Sequence, residues 1–212
     1  VKLVIVEDQT MLRELLLMAC VCAIPGSEVR SAPNLQEGLA LCRQLQPTVV
    51  LLDVVLPDGD GLDFVPAIRK AVPEVKVLTL SSHTDEYTLH RAQSAEVNGF
   101  VDKNGQTLDI LQEAITAVMA GQTYACSVVR EVRARVRADP LAFAKVLSDR
   151  EMELLCLFGR GWSNEEVAAH AGLSPRTARN HRQNIMTKLG LTSTPQLIRY
   201  ALEKGFARAS IS

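Results

Sequence analysis

No unbroken apolar stretch in these 212 residues is longer than ten, Leu15 to Ile24. A helix that crosses a membrane needs about 20, so no spanning segment and no membrane partner are expected. The start, VKLVIVEDQ, lacks a basic-then-apolar leader, and no signal peptide is expected there. None of the five cysteines (Cys20, Cys22, Cys42, Cys126 and Cys156) forms a CxxC pair, and their number is odd. That argues against a disulfide framework or a zinc site and for reduced thiols in a cytoplasmic protein. Internal repeats and low-complexity tracts are also missing.

Net charge is scarce as well, at −1, but its distribution is uneven. Residues 1–120 hold 9 basic and 16 acidic side chains, residues 121–145 hold 5 and 2, and residues 146–212 hold 9 and 6. An acidic N-terminal half and a mildly basic C-terminal third suggest two modules with different partners. With 47% hydrophobic and 22% charged residues, the chain is globular rather than disordered.

The N-terminal part alternates in type. Short β-rich runs at 2–6, 48–52, 75–80 and 98–101, with a weaker one at 28–32, are separated by helical stretches near 11–23, 34–45, 61–71, 84–95 and 107–120. Five such strands predict a doubly wound α/β fold, a five-stranded parallel sheet with helices on both faces. Residues 121–145, with an Arg-rich run and Asp139-Pro140, read as a partly helical linker. From 146 on there is no strand signal. Helices are expected near 148–159, 164–171, 175–189 and 194–204, punctuated by Gly159, Gly161, Gly172, Gly190 and Gly205. The domains are thus 1–120, a linker at 121–145, and a small all-α domain at 146–212.

In a parallel sheet the site lies outside the carboxyl ends of the strands. Those ends carry Glu7 and Asp8, then Asp53, then Ser81 to His83, then Lys103. Three carboxylates together repel one another, and a hard divalent cation such as Mg²⁺ relieves that repulsion. A lysine and a hydroxyl opposite can hold phosphoryl oxygens. The set suits phosphoryl transfer to a carboxylate, where catalysis is mostly positioning and charge neutralisation. Acidic residues after strands also serve as helix N-caps, and Asp8 alone could be one.

Asp53-Val-Val-Leu-Pro57-Asp-Gly-Asp-Gly61-Leu resembles the phosphoacceptor loop of response-regulator receiver domains, which are flavodoxin-like. Glu7-Asp8 resembles their acidic pair, Ser81 their Ser/Thr and Lys103 their lysine, over residues 1–120. The resemblance implies that Asp53 accepts phosphate from a sensor histidine kinase. It implies that Asp8, Asp53, the Val55 carbonyl and Glu7 (through water) hold Mg²⁺, and that Ser81 and Lys103 grip the phosphoryl group. Ser81 and Phe100 would form the switch, the aromatic ring rotating into space that the hydroxyl vacates. Two positions depart from the family: Asn104 stands where many receivers have proline, and Val55 is apolar. An apolar group two residues after the acceptor cannot orient water, so slow self-hydrolysis of the aspartyl phosphate is expected. A half-life of seconds in purified protein would count against this. His83, near the mouth, reads as a solvated loop residue.

In the basic part, Ser148 and Glu151 form a capping box. A helix from Ser163-Asn-Glu-Glu166, the turn Gly172-Leu-Ser174 and a helix from Pro175 have helix-turn-helix spacing. Between Ser174 and Gly190 there are four basic and no acidic residues. Arginine reads guanine, and Asn or Gln reads adenine, on the major-groove edge. Arg179, Asn180 and Gln183 are assigned to base edges, Thr177 and Lys188 to phosphate, and Arg176 and Arg182 to either. The alternative is a solvated amphipathic helix. The run from Leu147-Ser-Asp-Arg-Glu151 through Leu173-Ser-Pro-Arg-Thr-Ala-Arg-Asn-His-Arg182 to Ile185-Met-Thr-Lys-Leu-Gly190 resembles the LuxR-type DNA-binding domain.

With a receiver in front, the chain looks like a NarL/FixJ-family response regulator. The resemblance implies a homodimer, when phosphorylated or DNA-bound, through Leu197, Ile198, Ala201 and Leu202 of the last helix. An inverted-repeat operator follows from a two-fold dimer. Two rival readings differ from this one. A phosphohydrolase would need a second acid beside the nucleophile, and Val54 and Val55 supply none, so no enzyme beyond self-phosphorylation and self-dephosphorylation is expected. A phosphorylation-independent regulator of the same fold would not need the complete Asp8, Asp53, Ser81 and Lys103 set.

Overall fold

The computed structural model describes residues 1–104 and 107–208. They divide into two compact units, one of Val1–Thr84 with Arg91–Glu131, the other of Asp85–His90 with the chain from Val132 on. In chain order, the elements up to the last strand are β1 (Lys2–Val6), α1 (Thr10–Ala23), β2 (Glu28–Ala32), α2 (Leu35–Leu45), β3 (Val49–Asp53), the hairpin β4 (Val55–Leu56) and β5 (Gly59–Asp60), α3 (Gly61–Ala71), β6 (Lys76–Ser81), α4 (Glu86–Ser94), β7 (Gly99–Asp102), α5 (Leu108–Met119) and β8 (Tyr124–Ala125). The helices α6 (Ser127–Ala138), α7 (Phe143–Val146), α8 (Asp149–Gly159), α9 (Asn164–Ala171), α10 (Pro175–Lys188) and α11 (Thr194–Lys204) follow.

The sheet runs β2-β1-β3-β6-β7-β8, every pair parallel. Its strands alternate between two cores because successive side chains point to opposite faces. Leu3 and Ile5 join Leu16, Cys20, Leu111 and Ile115 of α1 and α5. Val4 and Val6 join Cys42, Val65 and Ile68 of α2 and α3. All five residues of β3 are buried, as expected of a strand covered on both faces. The helices start at designed stops: the Asn34 side chain accepts from the Glu37 amide and that of Asp60 from the Leu62 amide. Because β1 lies between β2 and β3, the chain leaves their carboxyl ends in opposite senses. A crevice opens there, and Asp8 and Asp53 flank it.

The sheet has one strand more than its sequence pattern predicts. Tyr124–Ala125 pairs with Gly99 and Phe100 of β7, inside the stretch that reads as linker. Gly121, at φ +79°, takes the left-handed turn that brings the chain back after α5. Two residues are too few to show a period of two.

In the second unit, capping boxes at Ser148/Glu151 and Ser163/Glu166 start α8 and α9. Gly172, at φ +67°, ends α9, and Ser174 with Pro175 starts α10. These are the helices expected from the punctuation. Phe143, Leu154, Leu155, Phe158, Val167, Ala178, Ile185 and Leu197 form their core. The segment Asp85–His90 belongs to this unit: Tyr87 stacks on Phe206 with ring centroids 4.0 Å apart, and Lys204 Nζ pairs with Glu86 Oε1 at 2.7 Å. No helix among the described residues is long and apolar enough to cross a membrane.

Candidate functional site

The carboxyl ends of β1, β3, β6 and β7 deliver Glu7, Asp53, Ser81 and Lys103 to one edge. Lys103 Nζ lies 2.6 Å from Glu7 Oε2 and 2.7 Å from Asp53 Oδ2. Its side chain is only 11% exposed, and those of Glu7 and Asp53 are 0% and 6% exposed. One ammonium thus faces two buried carboxylates. Burial pushes the Glu7 carboxyl above its ordinary value, the charge of Asp53 adds to this, and Lys103 offsets part of it. Asp53 Oδ1 accepts from the Val55 amide at 3.2 Å, and Gln9 N donates to Glu7 Oε1 at 3.2 Å. Gly61 is required nearby, because a Cβ there would run into the Asp53 carbonyl.

Ligand atoms of Glu7, Asp8 and Asp53 all lie within 4.8 Å of one another. Glu7 Oε2 is buried and makes no hydrogen bond of good geometry among the described residues, despite the short approach of Lys103. A buried carboxylate oxygen so placed, with two more carboxylates beside it, fits a hard divalent cation.

Ser81 and Phe100 are both fully buried. The Ser81 hydroxyl accepts from the His83 amide at 3.0 Å. Asn104 also has work here. Its amide donates to Asp102 Oδ1 at 2.9 Å, which a proline could not do, and its side chain donates to the Ser82 carbonyl at 2.9 Å. It ties the segment after β7 to the segment after β6. Arg91 does the same for α4 and α3, reaching Asp60 Oδ2 at 2.7 Å and Asp63 Oδ1 at 2.8 Å. No sequence spacing announces that bridge.

On α10, Arg176, Arg179, Asn180 and Gln183 are exposed, with spacing that puts them on one face. Thr177 is half-buried at the first turn, its hydroxyl 2.8 Å from that of Ser174. Two basic residues of this helix do not face out freely. Arg182 donates to the Trp162 carbonyl at 2.7 Å and its guanidinium lies 4.4 Å from the Phe158 ring centroid, so it packs against α8 and the turn after it. Lys188 Nζ pairs with Glu151 Oε2 at 2.7 Å. On α11, Leu197 and Ala201 are fully buried in the core of their own module. They cannot form an outward contact, and the stripe narrows to Ile198, half-buried, and Leu202, 42% exposed.

Two family models match the chain: the response regulator receiver domain over residues 3–116, and the bacterial regulatory proteins of the luxR family over residues 145–201. The transcriptional regulatory protein MctR of Rhizobium johnstonii is 36% identical over 80% of this chain and 78% of its own length. The response regulator protein VraR of Staphylococcus aureus is 30% identical over 79% and 80%. RcsB of Salmonella enterica serovar Typhimurium, solved bound to a promoter in the presence of the phosphomimetic BeF3⁻, shares the fold. It matches with a TM-score of 0.66 and 22% identity over 96% of this chain and 98% of that one. The chain therefore belongs to the two-component response regulators that join a receiver domain to a LuxR-type, helix-turn-helix DNA-binding domain.

Proposed function

We propose that this protein is a transcription regulator switched by phosphorylation of Asp53, with a sensor histidine kinase as donor. The observation that carries the reading is Lys103 Nζ held between Glu7 and Asp53 at the sheet edge. An Asp53 oxygen attacks the donor's phosphorus, an O–P bond forms, and the P–N bond to the donor imidazole breaks. Lys103 and the Ser81 hydroxyl take the phosphoryl oxygens. Glu7, Asp8, Asp53 and the Val55 carbonyl would hold Mg²⁺, which supplies charge neutralisation when bound. Movement of Ser81 toward the new anion would free space for Phe100 and shift the population of a second conformation.

The output is DNA binding in the cytoplasm by a homodimer on an inverted repeat. Arg179, Asn180 and Gln183 read bases, Arg176 and Thr177 meet the backbone, and Ile198 and Leu202 meet the second copy. RcsB supports this by analogy, since it has been solved as dimers bound to DNA.

The test combines Mg²⁺ and beryllofluoride with the full chain. Mass in solution and DNA affinity should both rise, and neither should change in Asp53→Asn. An equal response in Asp53→Asn, or none in the unmodified chain, sinks the phospho-switch and leaves a phosphorylation-independent regulator. A separate prediction concerns the DNA face. Arg179→Ala should cost about 1–3 kcal/mol on a site recovered by in vitro selection and relax one base preference. Equal weakening on random DNA would show that Arg179 contacts only phosphate.

A further inference from the structure

In the second unit, Arg150 pairs with Glu153, Lys188 with Glu151, Arg199 with Glu203 and Lys204 with Glu86. Arg176 and Arg179, on the exposed face of α10, have no carboxylate partner among the described residues. Neither do Arg133, Arg135 and Arg137 of α6, nor Lys145 after it. Residues 132–145 set these four cations against a single acid, Asp139. Its Oδ1 already accepts from the Leu141 amide at 2.9 Å.

Three of these cations gather at one place. Arg133 and Arg137 stand one turn apart on α6, about 6 Å along its axis. Lys145 Nζ donates to the carbonyls of Arg137 and Asp139, at 2.7 Å each, which sets its charge at the end of the same helix. Arg135 leaves from the other side, four residues after Glu131, the spacing at which a helix pairs an acid with a base. The fold does not account for the strip. Val132 is buried and Val136 half-buried, and they supply the apolar side of this turn. Arg137 is exposed. Arg133 Nε is buried without a hydrogen-bond partner among the described residues, so that atom contributes no bond to the unit. Like charges four residues apart destabilise a helix.

We propose that Arg133, Arg137 and Lys145 form a second phosphate-binding strip, which grips the DNA backbone flanking the bases that α10 reads. Charge complementarity selects this partner. Each strand of duplex DNA carries a phosphate about every 3.4 Å of axis, so two arginines about 6 Å apart match alternate phosphates. The guanidinium fork suits phosphate oxygens. The carbonyl end of a helix repels anions, and here Lys145 covers it. The strip also leads directly into the DNA-binding match, which covers residues 145–201, and it belongs to the same compact unit as α10. DNA held by α10 is therefore a polyanion that this unit meets. Arg130, one turn earlier, belongs to the other unit and donates to the Ala125 carbonyl. The contact rests on the reading of α10 as the base-reading helix and not on the phospho-switch.

The test uses the full chain over a salt series, with an operator duplex recovered by in vitro selection. A second duplex extends it on each side by about ten base pairs, one turn of DNA. The unmodified chain should bind the longer duplex more tightly. Arg137→Gln should lower the slope of log affinity against log salt by about one unit, and Arg133→Gln added to it by about two. The double variant should lose the gain from the longer duplex. Its affinity should fall about tenfold at physiological salt, on operator and random sequence alike, because phosphate contacts carry no sequence information. Arg135→Gln removes the same charge from the opposite side of the helix and should leave the slope unchanged. Trp162 fluorescence should show the same unfolding midpoint in every variant. An unchanged slope in the double variant overturns the proposal, and so does an unmodified chain that gains nothing from the longer duplex. Equal lowering by Arg135→Gln and Arg137→Gln means net charge without contact and also overturns it. A loss confined to the operator means base reading and overturns it too. If Arg179→Ala leaves operator affinity intact while the double variant loses it, the strip stands and the reading of α10 falls.

Discussion

Lys103→Met is expected to lose phosphoryl uptake and stability together, and to recover only stability when Mg²⁺ is added. The lysine is the counter-ion of two carboxylates that are 0% and 6% exposed. Removing one partner of a buried pair costs about 3–5 kcal/mol, because the remaining charge is left uncompensated. Here two carboxylates would be left, so the variant should lean on the cation more than the unmodified chain does. Urea unfolding with and without Mg²⁺ measures this, and the metal should stabilise the variant by the larger amount. Phosphoryl uptake from acetyl phosphate should still fall by about 10²–10³, the typical loss when a donor to a transition-state oxyanion is removed. Equal stability of the two proteins without Mg²⁺ would mean that Lys103 does not neutralise the pair.

The sequence was most informative where side chains punctuate the backbone. Ser148, Ser163, Ser174 and Ser193 all accept a hydrogen bond at the start of their helices, so the helical module could be marked out closely from caps and glycines. The converging strand ends were legible for a similar reason, since the buried runs and the polar residue after each are local features. What stayed hidden depends on which way a residue faces. Leu197 and Ala201 form an apolar stripe with Ile198 and Leu202, but the core of the module takes the first two. Arg182 and Lys188 are basic like their neighbours on α10, yet each finds a partner more than fifteen residues away. Met11, Leu15 and Met18 of α1 read as part of an apolar helix until the structure shows that they stay exposed.

The pair formed by Lys188 changes what that residue is expected to do. Read from sequence, Lys188 is a phosphate contact. In the structure its ammonium is held by Glu151, whose Oε2 also accepts from the Ser148 amide at 2.8 Å. Glu151 is 6% exposed and links the start of α8 to the end of α10. Burial opposes its ionisation, but the bonds from Lys188 and Ser148 outweigh this and hold its carboxyl below the ordinary value. An acid with a depressed pKa contributes stability above its unfolded value and loses it as pH falls through the folded one. Glu151→Gln should therefore destabilise the helical module at pH 7. The cost should be about 1–3 kcal/mol, less than for a fully buried pair because the Lys188 side chain is 42% exposed. As pH falls below the ordinary carboxylate range, the deficit should shrink toward zero. Trp162, the single tryptophan, lies in this module and reports its unfolding within the full chain. Lys188→Met should cost a similar amount, and the double variant little more than either single one, since the two residues share one interaction. Additive losses would show that the pair contributes nothing to stability and would return Lys188 to the DNA backbone.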